Sequence, residues 1–95
     1  MKPLWKILSG KFAGWRVDEL LYNANGKHVG YFDGNIAYSL SGKAIGEIYE
    51  EDWIGKQTSI AYPVVGPIAQ HANIGMAPYA NRAGLAIAGW VDPDF

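Results

Sequence analysis

Ninety-five residues, 49% hydrophobic, 14% aromatic and 18% charged, describe one small folded domain, too apolar for disorder. A net charge of −1 supplies no bulk field for nucleic acid or an anionic membrane. The absence of cysteine excludes a disulfide framework, a zinc–thiolate site and a thiol nucleophile.

The opening MKPLWKILSGKF is interrupted by Lys6, and no small-residue cleavage site follows it. It does not read as a signal peptide. The longest uncharged run, Gln57–Asn81, is broken by Pro63, Pro67 and Pro78 and is no membrane helix. The expected location is therefore the cytoplasm by default.

Three frames of one pattern then follow in order: Leu4–Val17, Leu20–Asp33 and Ile36–Tyr49. Each carries the signature Gly-Lys-x-x-Gly, at Gly10–Gly14, Gly26–Gly30 and Gly42–Gly46, with a period of 16 residues. Such a repeat marks a supersecondary unit used several times. Each frame has a short apolar entry, a polar turn, Gly-Lys, and a second apolar stretch. In Asn23–Gly26 and Ser39–Gly42 the turn opens on Asn or Ser and ends on Gly. That is a type I turn followed by Gly at positive φ, the bulged hairpin. Each frame therefore predicts a β-hairpin, and Asp33-Gly34 predicts the tight turn joining the second frame to the third. Tyr22 and Tyr38 fall at equivalent positions, with Lys6 and Ile54 in the matching places.

Alternation along the second strand puts Ala13, Val29 and Ile45 in one column, the expected core, with Trp15, Tyr31 and Glu47 two residues on. Gly14, Gly30 and Gly46 lie between them, where a repeated Gly marks close backbone approach. Asp52–Gln57 starts a fourth frame and then drifts away. The apolar spacing up to Tyr62 is two, so no amphipathic helix is expected.

From Pro63 the character changes. Residues 63–84 are rich in Pro, Gly and Ala and hold one formal charge, Arg82. Prolines at this density predict an extended, irregular crossing. Leu85–Trp90 returns to strand character and is expected to supply the strand that the fourth frame lacks. Residues 85–95 then form a closing strand and tail, with Phe95 docked. The whole is one all-β domain: hairpin repeats over 1–62, the crossing over 63–84, and the closing segment.

The frames LYNANGKHVGYFDGN and AYSLSGKAIGEIYEEDWIGK, with the closing GWVDPDF, resemble the four-fold β-flower domain of uncharacterised, mostly bacterial proteins. The resemblance covers nearly the whole chain. It implies a small, squat, barrel-like fold with pseudo-four-fold symmetry and an apolar middle. It implies no activity. Its likeness to tubby-type lipid-binding domains is an analogy of fold alone. The weak fourth repeat and the Ala-rich tail depart from the pattern and leave the order of the last strands open.

Catalytic and metal chemistry finds little to stand on. His28 and His71 are the only histidines, and His28 is equivalent to Phe12 and Ala44, so the repeat does not require it. Glu47, Glu50, Glu51 and Asp52 lack the ligand spacing of a calcium loop and read as a solvated turn. No Gly-Lys pair is followed by Ser or Thr with a Gly four residues before it, so there is no phosphate-binding P-loop. There is no G-x-S-x-G elbow either. No enzyme, cofactor or metal is expected.

Two sets of residues remain as binding candidates. Lys11, Lys27 and Lys43 would form a ring at one rim if the frames surround one axis, able to hold phosphate or an anionic headgroup. Trp15, Tyr31, Trp53 and Trp90 would line a mouth or an interface. The expected function is a binding module for a small amphipathic ligand or a membrane lipid. The alternative is an assembly or protein-interaction module, with a second copy of the chain as one expected partner, using the apolar 63–84 segment. A filled axis would make the repeat purely architectural, and an open one would favour a ligand inside it.

Overall fold

A computed structural model describes residues 1–95 and is all-β. Seven strands follow in order: β1 (Lys2–Lys6), β2 (Phe12–Val17), β3 (Leu20–Asn23), β4 (His28–Asp33), β5 (Ile36–Ser39), β6 (Ala44–Tyr49) and β7 (Trp53–Gln57). Each pairs antiparallel with the next. A parallel pairing of β1 with β7, through Trp5↔Trp53 and Lys6↔Ile54, closes the meander into a barrel. At this seam Trp5 N–H donates to Asp52 and Ile7 N–H to Ile54. The next donor of the same edge would belong to Pro3, which has none, so the ladder stops there. The molecule is a disc of 34 × 31 × 17 Å.

The predicted hairpins are β1–β2, β3–β4 and β5–β6. Their turn glycines lie at φ +75 (Gly10), +78 (Gly26) and +93 (Gly42), and three residues after each the ladder bulges, at Ala13, Val29 and Ile45. Gly26 N–H donates to Asn23 and Gly42 N–H to Ser39, as a type I turn requires. The first hairpin differs. Its bond runs from Gly10 N–H to Lys6, one residue further back, so the turn is one residue longer. The partner pairs show the consequence: Tyr22↔His28 and Tyr38↔Ala44 correspond to Trp5↔Phe12. Trp5, not Lys6, therefore occupies the Tyr22 position. A second offset follows Tyr49, where Glu50, Glu51 and Asp52 join β6 to β7 in place of two residues. It puts Gly55, not Ile54, opposite Glu47 in the same column.

The two-residue connections Asp18-Glu19 and Gly34-Asn35 form the other end of the barrel. Asp18 (φ +53), Gly34 (+62) and Glu50 (+45) recur at the 16-residue period. A second turn is thus built into each frame, and only the middle frame fills it with Gly.

Seven buried side chains fill the axis: Leu4, Ala13, Leu21, Phe32, Ala37, Ile45 and Ile54, with Val29, Ile48 and Phe95 packed against them. The expected Ala13, Val29, Ile45 column is present. The strict alternation expected beyond it is not. Trp15 belongs with Trp5, Phe12 and Tyr22 in a second cluster, although simple pleating would put it on the Ala13 face. Gly14, at φ +142, lies between them and breaks the period. A methyl group on Gly14 would also overlap the Tyr22 carbonyl of the neighbouring strand, which accounts for Gly at this close approach.

The crossing from Pro63 wraps the barrel like a belt at the hairpin-turn end, passing the third hairpin first and the first hairpin last. Val65 N–H donates to Gly42, Ile74 to Gly26 and Arg82 to Gly10, at 2.7 to 2.9 Å. The three signature glycines thus each accept one belt amide. The belt is held further by side chains at the first hairpin. Tyr79 stacks on Phe12, Trp5 Nε1–H donates to the Ala80 carbonyl, and the Arg82 guanidinium lies 3.5 Å from the Trp5 ring centroid. Leu85–Gly89 does not continue as a strand. Only Trp90–Val91 (β8) pairs with β7, because Trp90 N–H turns back to Ile87 and Gly89 takes φ +82. Beyond it, Asp92 accepts the amides of Leu8 and Ser9, Asp94 N–H donates to Ile45, and Phe95 docks on the core.

Candidate functional site

Lys11, Lys27 and Lys43 each follow a turn glycine, at the end of the barrel that carries the belt. All three are exposed, and none joins the four ion pairs of the protein. Their equivalence comes from the repeat. Their availability comes from the belt, which takes the glycine carbonyls and leaves the ammonium groups outside.

The four aromatics do not share one mouth. Trp15 is fully buried and Trp53 packs on the same cluster. Trp15 Nε1 is the single buried side-chain polar atom without a partner. Tyr31 leans on Tyr38 and donates its hydroxyl hydrogen to the Gly66 carbonyl, so it is a belt anchor. Trp90 meets Tyr49 edge-on.

The acidic run is dispersed by partners. Asp52 pairs with Arg82 at 3.3 Å and Glu51 with Lys2 at 3.7 Å. Glu47 turns inward and accepts from Tyr62 Oη and Gln57 Nε2. A basin of about 320 Å³ at the tight-turn end is lined by Lys2, Arg16, Glu50 and Glu51, but its charges are largely matched within the protein. Arg16 bonds Glu19 and the Asp18 carbonyl and lies over the Phe32 ring. No group of three His, Asp or Glu side chains converges in a way that would hold a metal ion.

One depression combines free charge with exposed apolar surface. It measures about 270 Å³ and lies where the belt begins, beside the third hairpin. Lys43 and Lys56 stand in its lining with Ala44, Ile60, Pro63 and Val64. Val64 is 79% exposed and Ile60 45%. The depression is rigidly built. Lys43 and Val64 form a β-bridge, and Tyr62 Oη both accepts the Gln57 amide at 2.8 Å and donates to Glu47 at 2.9 Å. Burial, then the Glu47 carboxylate, push the Tyr62 phenol up to about 12, while the Gln57 amide opposes them. Lys56 is held at 2.7 Å from Asp94. Lys43 is the lysine of the lining whose ammonium has no ion partner.

Of the sequence candidates, then, Lys43 alone enters this depression. Lys56, Ile60, Tyr62 and Val64 were not legible as site residues, since they lie where the repeat fades and only the belt's return brings them to Lys43. No protein-family profile, curated protein or solved structure matches the chain. No helix is long and apolar enough to cross a membrane.

Proposed function

We propose that this chain is a non-enzymatic, β-flower-like binding module for a small anionic amphiphile. The ligand sits in the depression beside the third hairpin rather than on the axis. The observation that carries this reading is the meeting of Lys43, free of any carboxylate, with exposed Ile60 and Val64 in one rigid concavity. An ammonium holds a carboxylate or phosphate by charge-assisted hydrogen bonds. An adjacent apolar wall gains by covering an alkyl chain. The filled axis supports a purely architectural role for the repeat glycines. The pairing of β7 with β8 supports reading them as a reduced fourth hairpin, in keeping with four-fold pseudo-symmetry.

The test is titration with octanoate, followed by amide chemical shifts, with a parallel arm using phosphatidylglycerol vesicles. Expected are shifts confined to Lys43, Ile60 and Val64, and affinity about tenfold weaker in Lys43→Glu, the scale of one charge-assisted contact. Lys27→Glu, on the neighbouring hairpin, should bind as the parent does. Vesicle binding without octanoate binding would assign the site to bilayer lipid. Absence of both, or equal loss in the two variants, would overturn the proposal.

A second reading, self-association through the belt, is supported by the apolar surface that Met76, and Tyr79 beyond its contact with Phe12, leave exposed. Light scattering that gives a monomer across a wide concentration range would exclude it.

A further inference from the structure

Among the buried residues His28 alone is neither apolar nor aromatic of the Trp or Tyr kind, nor glycine or proline, and it is fully enclosed. Both of its nitrogens are committed. Nε2 is 2.7 Å from the Gly30 carbonyl oxygen, and Nδ1 is 2.8 Å from the backbone nitrogen of His71. A carbonyl only accepts and an amide N–H only donates. The ring is therefore the neutral tautomer with hydrogen on Nε2 and a lone pair on Nδ1.

The bond to His71 lies at a sparse place in the belt. On one side Ile68 N–H donates to Leu40, and on the other Ile74 N–H donates to Gly26. Between them, the backbone amides of Ala69–Asn73 reach the barrel only through His71 N–H on His28 Nδ1; Gln70 adds a longer side-chain contact of 3.4 Å to the His28 carbonyl. The equivalent residues of the other hairpins offer no such acceptor. Phe12 instead uses its backbone N–H, which donates to Asn81 Oδ1, and Ala44 stands beside the Lys43–Val64 bridge.

We infer that the His28–His71 contact is an acid-released latch, in which protonation of His28 at Nδ1 detaches the arch Ala69–Asn73 while the anchors at Ile68, Ile74 and Arg82 hold. Imidazolium carries hydrogen on both nitrogens, so Nδ1–H and the His71 N–H would face each other as two donors. Nothing nearby compensates. The groups facing the ring are Tyr22 of β3, at 5.4 Å between centroids, and the His71 ring of the arch, at 5.0 Å. On its own strand the ring meets the Gly30 carbonyl, and Lys27 precedes it in the chain. No carboxylate faces the ring, and the charge interaction with His71 works against its protonation. Burial, then, with a smaller contribution from His71, lowers the basicity of His28, against the pull of the Gly30 carbonyl. The latch is thus closed at neutral pH and opens on acidification.

The experiment is amide hydrogen exchange from pH 7.5 to 4.5, corrected for intrinsic rates, together with ¹⁵N shifts of the His28 ring. Expected is loss of His71 amide protection by about tenfold per pH unit once His28 titrates, the slope of one linked proton. Protection at Ile74 and Arg82 should stay constant. His71→Gln, which keeps the backbone amide, should retain the profile. His28→Phe, patterned on Phe12, should expose the His71 amide at every pH. A wild-type His71 amide whose protection does not change with pH would overturn the inference. So would ring shifts showing His28 still neutral at pH 4.5, or an equal pH-dependent loss in His28→Phe.

Discussion

The Gly26 carbonyl accepts the Ile74 amide at 2.8 Å, and a methyl group on Gly26 would overlap the Ile74 carbonyl oxygen. One residue thus serves two constraints, the left-handed turn of its hairpin and the close seat of the belt. Gly34 serves only the first, because a methyl group there meets nothing within 4 Å.

Gly26→Ala should therefore cost more than Gly34→Ala. The left-handed conformation alone costs a non-glycine residue about 1–2 kcal/mol, which is the whole expected effect at Gly34. At Gly26 the belt must shift as well, and the loss should exceed that at Gly34 by about 2 kcal/mol, the scale of a lost buried hydrogen bond and its desolvation. Urea unfolding of the two variants measures the difference.

Glu50 is exposed and sits at φ +45, where the second frame has Gly34. Glu50→Gly should stabilise the protein by about 1 kcal/mol, the relief of left-handed strain less the added freedom of the unfolded chain. Glu50→Ala should give no such gain, since alanine keeps the strain. Thermal unfolding of both separates backbone strain from loss of the carboxylate.

Tyr62 gives a pH dependence at the alkaline side. Its phenol titrates near 12 in the folded protein, against about 10 when unfolded. The raised value means that the unfolded chain loses this proton first. The contribution of Tyr62 is intact below pH 10 and falls away as pH rises through 12. Tyr62→Phe should be less stable than the parent at pH 7, by about 1 kcal/mol for the lost hydrogen bonds. Its unfolding midpoint should decline less steeply between pH 10 and 12. Phenolate absorbance combined with urea unfolding checks both statements.

Arg82 lies over Trp5 and pairs with Asp52. Arg82→Met should keep most of the packing and lose about 1 kcal/mol of cation–π and ion-pair stabilisation. Because Trp5 changes its neighbour, its fluorescence should shift in the folded state. Faster exchange of the residue 82 amide, with Ile74 unaffected, would locate the effect at the first hairpin.

The repeated Gly-Lys-x-x-Gly was enough to determine the hairpins, the bulged turns and the all-β class, because turn conformation and strand pleating are local properties written every 16 residues. The apolar column through Ala13 and Ile45 was legible for the same reason. What the repeat hid were its own irregularities. One extra residue in the first turn and one after Tyr49 shift Trp5 and Gly55 into register, and such slips change no composition. The candidate depression was not legible at all. Lys43 meets Ile60 and Val64 only because the chain turns back along the hairpin end. The pairing of His28 with His71 likewise needs the belt to run opposite to the order of the hairpins. Local propensity selects the elements, whereas the close packing of a non-repeating segment against three repeated carbonyls decides which side chains meet.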